Sequence, residues 1–242
     1  MEEQGKNMIP DRYKILSGSA LKCIALVTMI IDHIQGHLLS NLDIVLMRLG
    51  EITVTLNSLL HKIGRIAFPI YCFLLVEGFL HTHDRRKYGA NLLLFALISE
   101  IPWNLEHNGT LLYAKQNVFF TLFFGYLGLC CIEALREKPR VQLAALLALT
   151  LTATYFRADY GVAGFGFILL LYCLRNHKIL QAVLGCCFLS SRWIAGLAFI
   201  PINLYNGKRG FIRGRFLKYA FYAAYPLHLF IIYLIKKNTV GF

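Results

Sequence analysis

Apolar runs recur from residue 18 almost to the C-terminus, each bounded by a short polar or basic segment. They lie at approximately 18–40, 58–80, 88–105, 117–135, 141–157, 162–175, 179–190, 194–206 and 217–235. Coiled as helices, the longer runs match the roughly 30 Å hydrocarbon thickness of a bilayer. The pattern predicts an all-α fold, a polytopic integral membrane helical bundle with eight or nine transmembrane segments. The count turns on 179–206, each half of which is short for a full span. A break at Ser190-Ser191-Arg192-Trp193 gives a shallow hairpin or a pair of short helices and a count of nine, which is preferred; a single long helix gives eight and strands five cations outside. Residues 1–17 read as an N-terminal tail and 18–242 as one transmembrane domain. Residues 42–56 mix apolar and charged positions and predict an outer interfacial helix. No internal repeat or low-complexity tract is evident.

Composition sharpens this picture. The chain is 57% hydrophobic and 16% charged, with a mean hydropathy of +0.55, whereas soluble domains carry about 25% charged residues. A soluble bundle is therefore excluded as the leading fold class. The net charge of +12 would point to nucleic acid in a soluble protein. Here the cations sit in short segments between apolar runs, so no nucleic-acid partner is expected. Lys6, Arg12 and Lys14 precede the first run; Arg85, Arg86 and Lys87 follow the second; Arg136, Lys138 and Arg140 follow the fourth. Arg175 and Lys178 follow the sixth, and Lys208, Arg209, Arg213, Arg215 and Lys218 precede the last. The positive-inside rule makes these segments and the N-terminus cytoplasmic, in a multi-pass protein of the cell membrane. The first run follows a mixed-charge tail and lacks a small-x-small cleavage site, so it is expected to be retained. All seven cysteines lie in apolar runs without CxxC spacing and read as small buried hydrophobes.

The candidate chemistry lies where polar groups interrupt apolar runs. TMIIDHIQGHLL, residues 28–39, carries Asp32 and His33 deep in the first span. A titratable group at such depth is costly unless it pairs or lines a cavity. A rise of about 1.5 Å per residue brings Arg65, Glu100, Asn104, Asn117 and Asp159 to the outer half and His228 to the midplane. So many polar groups at similar depth favour a shared cavity. Asp32 with Arg65 reads equally as a buried ion pair joining two helices. His33 and His37 have metal-clamp spacing, but no third ligand is placed, so no metal is expected. His81, Thr82, His83 and Asp84 read as a solvated helix cap, and Glu77 as a partner of the Arg85–Lys87 run. Lys22 and His33 are eleven residues apart, about three turns, and share one helix face. A cation at the rim below a deep histidine suits a long anionic molecule of the shape of coenzyme A.

A set of longer stretches resembles the TraX family, membrane proteins named for conjugative pilin acetylation. They are ALKCIALVTMIIDHI (20–34), IGRIAFPIYCFLLVEGFLHTHDRRKY (63–88), LLFALISEIPWN (93–104), NVFFTLFFG (117–125), DYGVAGFG (159–166), LYNGKRG (204–210) and KYAFYAAYPLHLFIIYLI (218–235). That family is distantly similar to the type-three membrane acyltransferases, whose first helix carries Arg, ten residues, then an essential His. Lys22 and His33 match that spacing, with Lys replacing Arg. Glu77-Gly78-Phe79 corresponds to the larger group's SGF signature, departing at its first position.

The resemblance implies an acetyl-CoA-dependent acetyltransferase acting on an amine or hydroxyl acceptor at or beyond the membrane: a pilin N-terminus, peptide, glycan or lipid. His33 would be the general base. Asp32 or Glu100 would orient it, Glu100 being favoured because adjacent helical residues point about 100° apart. Lys22, Arg85, Arg86 and Lys87 would hold the coenzyme phosphates, and Arg65, Asn117, Asp159 or His228 would polarise the thioester or bind the acceptor. Two other classes stay open: a transporter or channel, and a non-catalytic membrane partner of a conjugation or secretion apparatus. The sequence leaves the acceptor and the oligomeric state undetermined.

Overall fold

The computed structural model describes residues 10–39, 44–49 and 52–240. Lys6 and most of the N-terminal tail lie outside the described residues. So do parts of the 42–56 segment. The described residues fall into two compact units, one made of residues 72–181 and the other of residues 10–71 and 182–240. The chain is mostly helical, as the apolar periodicity predicts. Among the described residues three helical stretches are long and apolar enough to cross a membrane: Gly18–His37, Leu56–His81 and Gly214–Thr239.

The discontinuous unit begins with helix α1 (Gly18–His37), whose N-cap Ser17 accepts from the Ala20 amide at 3.2 Å. An antiparallel hairpin follows, β1 (Val45–Leu49) and β2 (Ile52–Thr55), in the register Met47–Val54, Arg48–Thr53 and Leu49–Ile52. This corrects the expected interfacial helix. The Ile52-Thr53-Val54-Thr55 run is β-branched throughout and favours a pleated strand over a helix. Thr55 then opens α2 (Leu56–Gly64) through a capping box with Ser58. The single second span of the sequence reading is two helices, α2 and α3 (Ala67–His81), broken at Arg65 and Ile66.

The middle unit holds most of α3, then α4 (Arg85–Asn108), α5 (Val118–Ala134), α6 (Pro139–Tyr155) and α7 (Gly161–Cys173), and it ends within α8 (Lys178–Phe188). Asp84 caps α4 by accepting from Lys87 N at 2.8 Å, and Gly109 ends it at φ 70°. The expected cap at residues 81–84 is thus present. Glu77, expected beside Arg85–Lys87, lies 3.8 Å from His81 one turn on. Helices α5 and α7 approach closely at Gly125, where a β-carbon would lie 2.3 Å from Ile168 Cδ1. Phe79, Leu129, Phe167, Ile168 and Leu171 form the core there. The outward faces stay greasy: Leu94, Leu97 and Ile101 on α4 and Leu143, Leu147 and Leu151 on α6 are exposed at helical spacing. Stripes of this kind suit lipid contact.

The chain returns to the first unit through a 3-10 segment (Ser190–Ala198), α9 (Phe199–Asn203) and α10 (Gly214–Val240). A single long helix over 179–206 does not form. The loop between α9 and α10 clamps the start of α1. Gly18 N and Ser19 N donate to the carbonyls of Lys208 and Arg209 at 2.8 and 2.9 Å, and Ser19 Oγ donates to Arg209 O and accepts from Ile212 N, both at 2.8 Å. Backbone donors that a helix N-terminus normally leaves open are thereby satisfied. Gly210 makes the clamp possible: its φ is +84°, and a β-carbon there would lie 2.3 Å from Ser17 Oγ. Gly210→Ala is expected to cost about 1–3 kcal/mol, read as a lowered unfolding midpoint in detergent. An unchanged midpoint would show that the clamp is not tight.

Candidate functional site

The densest set of titratable and aromatic side chains in the discontinuous unit forms where α1 meets α10. His33 Nδ1 lies 2.7 Å from His228 Nε2, and the two rings stack at 4.9 Å between centroids with an interplanar angle of 25°. His228 is buried at 8% exposure, and its Nδ1 lies 2.9 Å from the carbonyl oxygen of Ala224. Tyr225, one turn earlier on α10 and also buried, sets its ring 6.3 Å from His33 and 5.5 Å from His228. His37 adds a fourth ring on the α1 side, 6.2 Å from His33. Pro226 lies inside α10 between Tyr225 and His228. Proline supplies no amide donor to the helix ladder, yet α10 continues unbroken through this position.

Asp32 faces another neighbour, as the 100° step between adjacent helical residues requires. It packs on α2 at Gly64, where a β-carbon would lie 2.3 Å from Asp32 Cβ. His61 Nδ1 is 3.5 Å from Asp32 Oδ1, and Arg65 approaches His61 Nε2 through Nε at 3.2 Å and Nη2 at 3.1 Å. Arg65 is always a donor, so His61 Nε2 accepts and its proton sits on Nδ1, toward the carboxylate. His61 therefore stands between the two residues that the sequence reading joined as an ion pair. Sequence gave no sign of it, because its role comes from a contact between helices.

Three turns before His33, Lys22 lies on α1 above the clamped loop. The charges of Arg209 and Lys218 act on it, so this rim concentrates positive charge. The sequence alone marks both cations only as orientation charges. The LYNGKRG stretch, which ends at Gly210, was the available signal.

The other predicted site residues lie in the middle unit. Asn117 N donates to Glu100 Oε1 at 3.0 Å, and Asn117 Nδ2 donates both to that carboxylate and to Ala96 O. Asn117 Oδ1 accepts from Phe119 N at 3.0 Å and so caps α5. Half-buried Glu100 and fully buried Asn117 thus form one structural hub. Arg85, Arg86 and Lys87 form the exposed first turn of α4. The Arg85 guanidinium stacks 4.4 Å above the Phe79 ring, and its carbonyl accepts from Tyr126 OH at 2.5 Å. Gly78, between Glu77 and Phe79, has no room for a side chain: a β-carbon would lie 2.5 Å from Tyr88 OH. Asp159 is exposed beyond α6.

No solved structure matches this chain. The chain is 30% identical over 245 residues, covering 89% of itself and 94% of the relative, to the probable fimbrial assembly protein FimC, serogroup H1, of Dichelobacter nodosus. The family model described as TraX protein matches residues 17–236, nearly the whole length. The chain belongs to the TraX family.

Proposed function

We propose that the protein is an integral membrane acetyltransferase that moves an acetyl group from acetyl-CoA to an amine or hydroxyl acceptor. The observation that carries this reading is the imidazole of His33, held against His228 inside an apolar helix of spanning length. An imidazole titrates near neutrality and suits proton transfer at pH 7. His33 takes the proton of the acceptor as the acceptor nitrogen or oxygen attacks the thioester carbonyl. The tetrahedral adduct then expels the coenzyme thiolate, which recovers the proton from the His33 imidazolium. The products are the acetylated acceptor and free thiol.

Lys22, Arg209 and Lys218 supply the charge to hold the coenzyme phosphates at the rim of α1. Lys22 lies about 16 Å along the helix from His33, so a thin arm joins the two. Arg85, Arg86 and Lys87 are further candidates for the phosphates. Arg65, Asp159 and Asn117 remain candidates for the acceptor. In this reading the chain crosses the bilayer eight or nine times with its N-terminus in the cytoplasm, and the acceptor is a pilin-like peptide, a glycan or a lipid. A non-catalytic role in assembling a surface fibre is the second reading, favoured by the fimbrial assembly name of the relative.

Coenzyme A titration of the purified protein separates the two. Ligand at about 100 times its dissociation constant stabilises the native state by about 2.7 kcal/mol, so a clear rise in melting temperature is expected, and Lys22→Ala should shift the titration to higher ligand concentration. No stabilisation at millimolar coenzyme A, with no release of thiol from acetyl-CoA, would overturn the enzyme reading. Radiolabelled acetyl transfer in whole cells would then identify the acceptor.

A further inference from the structure

The acceptors around His228 fix where the protons lie. The Ala224 carbonyl oxygen offers only lone pairs, so the 2.9 Å contact requires a proton on His228 Nδ1. A neutral His228 then carries its lone pair on Nε2. The 2.7 Å contact between that atom and His33 Nδ1 needs one proton, which must come from His33. His33 therefore holds its hydrogen on Nδ1 and its lone pair on Nε2.

We infer that His228 is a positioning residue that locks His33 in its Nδ1–H tautomer, making Nε2 the atom that receives the acceptor's proton. The chain of donors runs from His33 through His228 to a backbone carbonyl. Helix α10 anchors the far end, because residues 224 and 228 are one turn apart. The device is suited to its surroundings. A carboxylate in this place would orient the ring equally well but would put a full charge in an apolar interior, at a cost of a few kcal/mol or more. A neutral imidazole orients without that charge. When His33 Nε2 is protonated, the Nδ1–H bond to His228 becomes charge-assisted and stronger, so the pair responds when positive charge develops. His228 was expected to polarise the thioester or bind the acceptor; this geometry gives it a different task.

The catalytic part of the inference rests on the acetyltransferase reading, whereas the tautomer does not. The two are tested separately. Nitrogen-15 spectra of histidine-labelled protein in nanodiscs, with His33 assigned by loss of its signals in His33→Gln, should show a protonated Nδ1 and an unprotonated Nε2. His228→Phe should turn this into a mixture of tautomers. A His33 protonated on Nε2 in the unmodified protein would overturn the inference, since it would mean an imidazolium at His228 or another hydrogen-bond arrangement. In the transfer assay His228→Phe should lower kcat by roughly 10²- to 10⁴-fold, as a wrong tautomer does in other imidazole-based sites, with KM for acetyl-CoA unchanged. His228→Gln, whose amide oxygen accepts a hydrogen bond, should recover part of the loss. A kcat within twofold of normal in folded His228→Phe would overturn the positioning role. The expected spectrum in a protein that transfers no acetyl group would uphold the tautomer lock and reject the proposed activity.

Discussion

His33→Ala is expected to abolish acetyl transfer while leaving the protein folded. A positioned general base contributes typically 10²- to 10⁴-fold to a rate, and in the proposed mechanism no other atom receives the acceptor's proton. The structural cost should be small. His33 is only half-buried, and α1 keeps its Ser17 cap, its clamp from the 204–212 segment and its packing against α2 at Gly64. The measurement is radiolabelled transfer beside a melting curve. Loss of turnover with the melting temperature held within a few degrees supports the role; normal turnover in the folded variant removes His33 from the chemistry. Combining His33→Ala with His228→Phe should be scarcely worse than His33→Ala alone, because groups that act as one unit do not lose their effects additively.

Gly64→Ala should have a large effect on stability. The added β-carbon would lie 2.3 Å from Asp32 Cβ, 2.4 Å from Oδ1 and 2.5 Å from Cγ. The nearest of these atoms is fixed to the α1 backbone and cannot swing aside as a flexible side-chain end would. Helices α1 and α2 must separate locally, and the 3.5 Å approach of His61 to Asp32 is lost with them. Overpacking of this kind costs about 1–3 kcal/mol, so a marked fall in melting temperature is expected. Asp32→Gly in the same protein should restore part of the loss by removing the opposing β-carbon, although glycine inside a helix itself costs about 1 kcal/mol. If Gly64→Ala melted with the unmodified protein, the close approach of α1 and α2 would be refuted.

The helices were legible because long apolar runs broken by basic segments admit few alternatives. The hairpin was not. The mix of apolar and charged positions over 42–56 reads as an interfacial helix, whereas the stronger signal lies in the four β-branched residues at 52–55. The break between α2 and α3 lies between Gly64, the last residue of α2, and Pro69 in the first turn of α3, two breakers hidden inside one continuous apolar run. Within the site, His33 stood out because a titratable group in an apolar run always needs a reason. Its neighbours did not. Depth placed His228 near the midplane but could not choose its facing residue, and Tyr225 was hidden in an aromatic-rich stretch. His61 reaches Asp32 only through the packing of α2 on α1. Arg209 and Lys218 looked like orientation charges because nothing in their spacing reveals that their loop folds back onto Ser17 and Ser19.

His33 and His228 stand 195 residues apart in sequence, and the unit that holds them is made from the two ends of the chain. During synthesis the first half of the pair leaves the ribosome long before the second has been translated. Every nascent chain shorter than α10 therefore lacks the pair. Closing so long a loop is slow compared with forming the local helix contacts of the middle segment. The site is accordingly among the last features of the molecule to appear, and a chain truncated before residue 228 forms its first helix without ever acquiring the paired histidine.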